Sequence, residues 1–151
     1  SLLDARFFQS GMQRLRQIEF ALFDLSIHKH NPALNSQHIQ ATLDEIRQKY
    51  AVIATAPYNR FQNSFSHIFA GGYAAGYYSY KWAEVLASDA FDRFEKEGVF
   101  NTAVGKEFRQ FILAVGGKDT ALDAFINFRG REPKIDALLR HQGWTDDRKN
   151  L

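Results

Sequence analysis

The segment Phe65–Trp82 reads FSHIFAGGYAAGYYSYKW, and its many aromatic residues and paired glycines set it apart from the rest of the chain. If the residues after Gly72 are helical, Tyr73, Tyr77 and Tyr80 stand at i, i+4 and i+7. This spacing brings their hydroxyls onto one stripe roughly 10 Å long. A neutral phenol donates a hydrogen bond, as do the groups that stabilise a developing oxyanion. Tyrosines at helical spacing also commonly cover a half-buried surface, so the pattern itself leaves both interpretations open.

Two glycines, Gly71 and Gly72, come directly before this stripe, and His67 lies just upstream of them. Glycine adopts backbone conformations that are closed to other residues, which suits a loop entering a helix or a segment touching the main chain of a ligand. His67 could add a further hydrogen-bond donor from this loop. Close packing between helices is the alternative explanation for small residues beside aromatic ones.

The composition bounds the class of protein. The chain has 151 residues, of which 45% are hydrophobic and 14 are Phe, so we expect one folded unit with a real core. The formal net charge is only +2 without a basic patch, and no apolar run is long enough to span a membrane, so we expect neither nucleic acid nor membrane as a partner. The chain contains no cysteine, which excludes disulfides and fits a cytoplasmic location.

The apolar spacing and the helix-boundary residues predict an all-α, multi-helix bundle. The predicted helices run from Leu2 to about Ile27, Asn35 or Ser36 to about Tyr50, Gly72 or Tyr73 to about Lys96, Asn101 or Thr102 to about Val115, Asp119 to Phe128, and Pro133 to about Gln142. The second half of the first helix carries apolar residues on several faces, so we expect it to be buried nearly all round, as inside a larger bundle. Residues 51–66 are the least regular part.

A resemblance to a known family accompanies these patterns. The run from His67 through Tyr73 to Trp82 resembles the tyrosine-rich active-site segment of the zinc metallopeptidases that include thimet oligopeptidase, oligopeptidase A and peptidyl-dipeptidase, in particular the bacterial oligopeptidase A branch. Similar stretches follow in the same order at 94–101, 116–117 and 128–139, so the resemblance covers essentially the whole chain.

The zinc site of such enzymes needs a His-Glu-x-x-His helix and a downstream glutamate. None of the five histidines of this chain is followed by Glu or has another histidine four residues away. The pair His28 and His30 is two residues apart, so the two side chains do not face each other on a helix. The resemblance therefore implies the C-terminal part of a catalytic domain, with zinc bound by the remainder of the same polypeptide and no metal held by residues 1–151, which we expect to be inactive alone.

The resemblance also implies roles for individual residues in an oligopeptidase acting on short peptides. Tyr73 and Tyr80 match catalytic tyrosines that donate to the scissile carbonyl as it becomes tetrahedral. Substrate-binding positions are matched by His67, Gly71, Gly72 and Tyr77. Tyr58, Arg60 and Phe61, in the loop before this segment, could also touch substrate.

A different class of function competes with this one: a non-catalytic helical module whose aromatic groove binds a peptide or a partner protein. An aromatic platform for single-stranded nucleic acid is disfavoured, because only Arg60 and Lys81 would supply positive charge near the aromatic residues. In either of the first two cases, the apolar faces of the isolated chain could lead it to self-associate.

Overall fold

The structure, a computed structural model, describes residue 5, residues 7–29 and residues 35–145. All regular elements in these residues are helical, which confirms the all-α class. They are α1 (Ser10–Lys29), α2 (Ser36–Tyr50), a 3₁₀ turn (Phe61–Ser64), α3 (Ser66–Phe69), α4 (Ser79–Glu97), α5 (Thr102–Phe108), a π-helical segment (Arg109–Leu113), α6 (Ala121–Arg129) and α7 (Asp136–His141). Within the described ranges, no helix has the length and apolar character needed to cross a membrane.

The described residues divide into two compact units, one ending at Tyr80 and one beginning at Lys81. Each unit has its own cluster of buried apolar side chains. That residues 1–151 form one helical unit of a larger catalytic domain stays a prediction.

Helices α1 and α2 pack against each other in the first unit. Helix α2 begins at Ser36, and Asn35 caps it, because the Asn35 side chain accepts a hydrogen bond from the backbone N–H of His38 at 3.0 Å. Between the helices, Arg47 Nε donates to the buried carboxylate of Glu19 at 2.9 Å. The buried residues of this core are Phe23, Ile27, Leu43, Phe65, Ile68 and Tyr77.

The first helix differs from the expectation in its start and its burial. Residues 2–4 and 6 lie outside the described part, as do residues 30–34; α1 begins at Ser10, after Gln9 with a φ of 55°. The expected burial on nearly all sides is wrong for Leu25, which is 39% exposed. The buried positions Glu19, Phe23, Asp24 and Ile27 lie on one face of α1, because a straight helix presents only one face to the core of this unit.

The second unit has helix ends close to those expected. Helix α4 ends at Glu97 before Gly98, whose φ is 111°, and Asn101 caps α5 by accepting hydrogen bonds from two backbone N–H groups of its first turn. Helix α7 begins at Asp136 and not at Pro133. The backbone N–H of Lys134, in the loop before α7, donates to a side chain of α4 at 2.7 Å.

That side chain, Asp89, is the centre of an ionic cluster in the second unit. Its carboxylate accepts hydrogen bonds from Arg129 at 2.9 Å and from Arg131 at 2.6 Å, and it is only 1% exposed. Burial by itself disfavours the ionised form of Asp89, but the hydrogen bonds from Arg131 and Lys134 outweigh it and lower the pKa. One turn along α4, Asp92 binds Arg129 and Lys96. The loop after α6 is thereby fastened to α4.

We expect Asp89→Asn to lower the free energy of unfolding of the intact protein by about 3 kcal/mol at neutral pH, because it removes a buried charge that pairs with both Arg129 and Arg131. The folded-state pKa of Asp89 is lowered, so its contribution is present above the unfolded-state pKa and is lost as the pH falls through the folded-state value. The difference between wild type and variant should therefore shrink below about pH 4. Urea unfolding across this pH range measures it, with the exposed Asp44→Asn as a control expected to have little effect at either pH.

Candidate functional site

The residues between α3 and α4 form a series of turns and not the start of a long helix. The backbone N–H of Gly76 bonds the carbonyl of Tyr73 at 2.8 Å, and that of Ser79 bonds the carbonyl of Gly76 at 3.0 Å. Helix α4 starts only at Ser79, so the expected start at Gly72 or Tyr73 is wrong. Two residues in the left-handed region interrupt any helix here, Gly72 with φ 79° and Ala75 with φ 54°.

The turns nevertheless bring the predicted aromatic residues together. Tyr73 and Tyr80 are stacked with ring centroids 4.9 Å apart, and Tyr77 meets Tyr80 edge-on at 5.2 Å. The His67 ring lies 6.2 Å from the Tyr73 ring and 6.4 Å from the Tyr80 ring. We call these four residues the tyrosine–histidine cluster. The four side chains therefore come together on a folded turn. The sequence analysis had predicted that the tyrosines would form a stripe on one helix.

The three phenols of the cluster have different surroundings. Tyr80 is 37% exposed and Tyr73 is half-buried, whereas Tyr77 is only 9% exposed and belongs to the core of the first unit. The Tyr77 hydroxyl donates to Oε1 of Gln17 on α1 at 3.0 Å. The hydroxyl of Tyr77 is thus hydrogen-bonded within the protein.

Hydrogen bonding with the Tyr73 side chain raises the pKa of Tyr80, and burial raises the pKa of Tyr77. Both phenols therefore keep their protons at neutral pH and remain hydrogen-bond donors.

The two glycines shape the loop that joins His67 to Tyr73. The Gly71 N–H bonds the Ser66 carbonyl at 2.8 Å, and the Tyr73 N–H bonds the His67 carbonyl at 3.0 Å. A Cβ on Gly71 would lie 2.9 Å from the Cα of His67, so a larger residue there would displace the backbone. Gly72 has a positive φ, a conformation that glycine adopts without steric cost because it has no Cβ.

Asp24 is a site residue that the sequence analysis missed. Its fully buried carboxylate accepts the Ala75 N–H at Oδ1 (2.8 Å) and the Tyr77 N–H at Oδ2 (2.9 Å). His28 Nδ1 lies 2.8 Å from the same Oδ1. A signal was available: Asp24 interrupts the apolar second half of α1, where a buried charge needs specific partners.

The other sequence candidates do not join the cluster. Tyr58 is 84% exposed, and Arg60 Nη1 bonds the carbonyls of its own loop, those of Pro57 and Asn59, both at 2.9 Å. Phe61 stacks on Phe20 of α1 at 4.5 Å and packs against the core. In the described part of the chain, no group of three or more His, Cys, Asp or Glu side chains is arranged to hold a metal ion.

Comparison with known proteins identifies the family of the chain. The model of peptidase family M3 matches residues 1–144. The chain belongs to peptidase family M3. Its family relatives include oligopeptidase A of Haemophilus influenzae, 52% identical over 142 residues, which cover 94% of this chain and 21% of that protein.

More distant relatives extend the similarity beyond bacteria. The chloroplastic and mitochondrial organellar oligopeptidase A of Arabidopsis thaliana is 49% identical over 94% of this chain and 18% of its own length. Saccharolysin of Saccharomyces cerevisiae is 34% identical over 95% of this chain and 20% of its own length. The chain therefore spans about a fifth of the length of these family M3 relatives.

We expect Ala75→Val to destabilise the intact protein by on the order of 1 kcal/mol more than Ala74→Val, because a β-branched residue fits the left-handed region poorly. Both alanines are exposed, and of the two only Ala75 has a positive φ, so the neighbouring substitution controls for the added side chain. Urea unfolding measures the difference. Equal stabilities of the two variants would show that the turn does not require this conformation.

Proposed function

We propose that this chain is the C-terminal part of the catalytic domain of a zinc-dependent oligopeptidase that hydrolyses peptide bonds in short peptides. In this proposal the tyrosine–histidine cluster is the wall of the cleft that faces the scissile bond. Family membership supports the reaction class. The observation that carries the assignment of residues is the stacking of Tyr73 on Tyr80, at 4.9 Å between centroids, with part of Tyr80 open to solvent.

Zinc does not fit the described residues, which offer no suitable group of ligands. We assign the metal to the remainder of the same polypeptide, where a bound zinc would activate water for attack on the peptide bond. The contribution of this chain is then to bind the peptide and to stabilise charge on the carbonyl oxygen.

In this proposal, Tyr73 and Tyr80 are the catalytic residues of the chain. Both donate a hydrogen bond to the carbonyl oxygen as it becomes tetrahedral and gains negative charge. Without substrate, the side chains of Tyr73 and Tyr80 are hydrogen-bonded to each other. Linked hydrogen bonds polarise one another, so this pairing strengthens the pair as a donor to the carbonyl oxygen.

The remaining cluster residues and the glycines form the substrate-binding part of the wall. His67 orients the peptide beside the two phenols, and Gly71 and Gly72 let the peptide backbone approach the loop closely. Tyr77 takes part through its ring, against which His67 packs at 5.8 Å and Tyr80 at 5.2 Å, since its hydroxyl is bound to Gln17.

We expect Tyr73→Phe and Tyr80→Phe in the intact enzyme each to lower kcat by on the order of 10²-fold, with a much smaller change in KM, because the lost donor acts in the transition state. Steady-state cleavage of a fluorogenic short peptide measures both constants. Tyr58→Phe, outside the cluster, should leave them unchanged. Wild-type turnover in both cluster variants would remove these phenols from the mechanism.

The second candidate function is a helical module that binds a peptide or a protein without cleaving it. The stacked rings of Tyr73 and Tyr80, with Tyr80 partly open to solvent, support this candidate as an aromatic binding surface. The two candidates differ in the metal and activity of the intact protein: an enzyme binds zinc and cleaves peptides, whereas a binding module does neither.

We expect residues 1–151 expressed alone neither to hold stoichiometric zinc nor to cleave peptides, and the intact protein to do both. Elemental analysis after dialysis and a peptide-cleavage assay measure this. Chelator-sensitive cleavage by the 151-residue chain would contradict the assignment of zinc to the remainder of the polypeptide.

The oligomeric state of the isolated chain, measured by light scattering, tests whether its apolar faces lead to self-association.

We also infer a cytoplasmic location with short peptides as partners, and neither nucleic acid nor membrane. The modest net charge of +2 supports the exclusion of nucleic acid. One relative is named a probable cytosolic oligopeptidase A and another an organellar one, so relatives of the same kind occur in different compartments.

A further inference from the structure

We propose that Asp24 is a positioning residue for peptide hydrolysis, acting through the turn that carries Tyr73 and Tyr77. This inference rests on the proposed function of the tyrosine–histidine cluster. It concerns a buried carboxylate that touches neither the cleft nor the reacting atoms. Its role is to hold the backbone from which the catalytic phenols project.

The two carboxylate oxygens bind alternate backbone N–H groups of the turn. Oδ1 accepts from Ala75 at 2.8 Å and Oδ2 from Tyr77 at 2.9 Å. Charge-assisted hydrogen bonds of this kind are about twice as strong as neutral ones, and two of them fix both the position and the orientation of the peptide units. The carboxylate is fully buried, so no water competes for these contacts.

The first hydrogen bond holds a strained residue. Ala75 has a φ of 54°, which non-glycine residues rarely adopt unless surrounding contacts enforce it. Ala75 lies two residues after Tyr73, within the turn closed by the hydrogen bond from Gly76 to the Tyr73 carbonyl. Release of Ala75 to a relaxed conformation would therefore change the direction of the Tyr73 side chain relative to Tyr80.

The second hydrogen bond holds the base of the cluster. Tyr77 is tied to α1 twice, by its N–H to Asp24 and by its hydroxyl to Gln17. The rings of Tyr80 and His67 both meet the ring of Tyr77 edge-on. A shift of the Tyr77 backbone would therefore displace the ring against which Tyr80 and His67 pack. Displacements of about 1 Å from the productive geometry can lower the rate by about 10²-fold.

Glu19 provides a matched control on the same helix. It is also a buried carboxylate, 1% exposed, but it binds Arg16 and Arg47 and does not contact the turn. Glu19→Gln and Asp24→Asn each weaken a buried carboxylate without changing side-chain size. A purely structural role for Asp24 would make the two variants alike.

The test measures kcat and KM of the intact enzyme, per folded and zinc-loaded molecule, for Asp24→Asn and Glu19→Gln. In the first variant an amide NH₂ would face a backbone N–H, so the turn loses one of its two bonds. We expect kcat to fall by about tenfold or more with KM changed far less, and Glu19→Gln to retain kcat within about twofold. Equal kcat in the two variants would overturn the proposal.

A further comparison identifies the route of the effect. Asp24→Asn added to Tyr73→Phe should cost far less than it does in wild type, since coupled residues are not additive. A full additional loss would overturn the proposal.

The outcome separates this inference from the one on which it rests. If Tyr73→Phe and Tyr80→Phe lose turnover but Asp24→Asn does not, the positioning role alone fails. If the two phenylalanine variants turn over like wild type, the proposed function of the cluster fails and the positioning role fails with it.

Discussion

The buried carboxylate of Asp24 on two backbone N–H groups is the constraint on which the candidate site depends. An ionised side chain withdrawn from water is costly unless each oxygen finds strong donors, and Ala75 and Tyr77 supply them. The same contact fastens the turn to α1 and holds one alanine in a conformation it would otherwise avoid. Helix packing and the placement of the tyrosines are thereby joined in one interaction.

The second unit shows the same use of buried acids on a larger scale. Asp89 gathers Arg129, Arg131 and the N–H of Lys134, so a loop without regular structure is held by charge. In both units an aspartate on a long helix fastens a following irregular segment whose backbone N–H groups need partners. Apolar packing forms each core, and these carboxylates set the conformation of the loops around it.

Much of the fold follows from local signals in the sequence. The cap at Asn35, the stop at Gly98 and the cap at Asn101 were predictable because each depends on residues close in the chain. The start of α4 was not, since tyrosines and alanines favour continuing a helix. What prevents it is a contact 51 residues away in sequence, between Asp24 and the N–H of Ala75, which no local pattern reveals.

The sequence singled out the four residues of the tyrosine–histidine cluster, but it indicated neither their geometry nor the role of Asp24. The aromatic residues around Gly71 and Gly72 mark the segment by composition and by resemblance, but helical spacing gave the wrong account of why Tyr73 meets Tyr80. The most direct measurement is a crystal structure of the intact protein with a peptide analogue bound in which a tetrahedral phosphinate replaces the scissile bond. The account predicts both phenol oxygens at about 2.7–3.1 Å from one phosphinate oxygen, which stands for the oxyanion. A bound analogue whose phosphinate oxygens lie beyond hydrogen-bond reach of both phenols would contradict it.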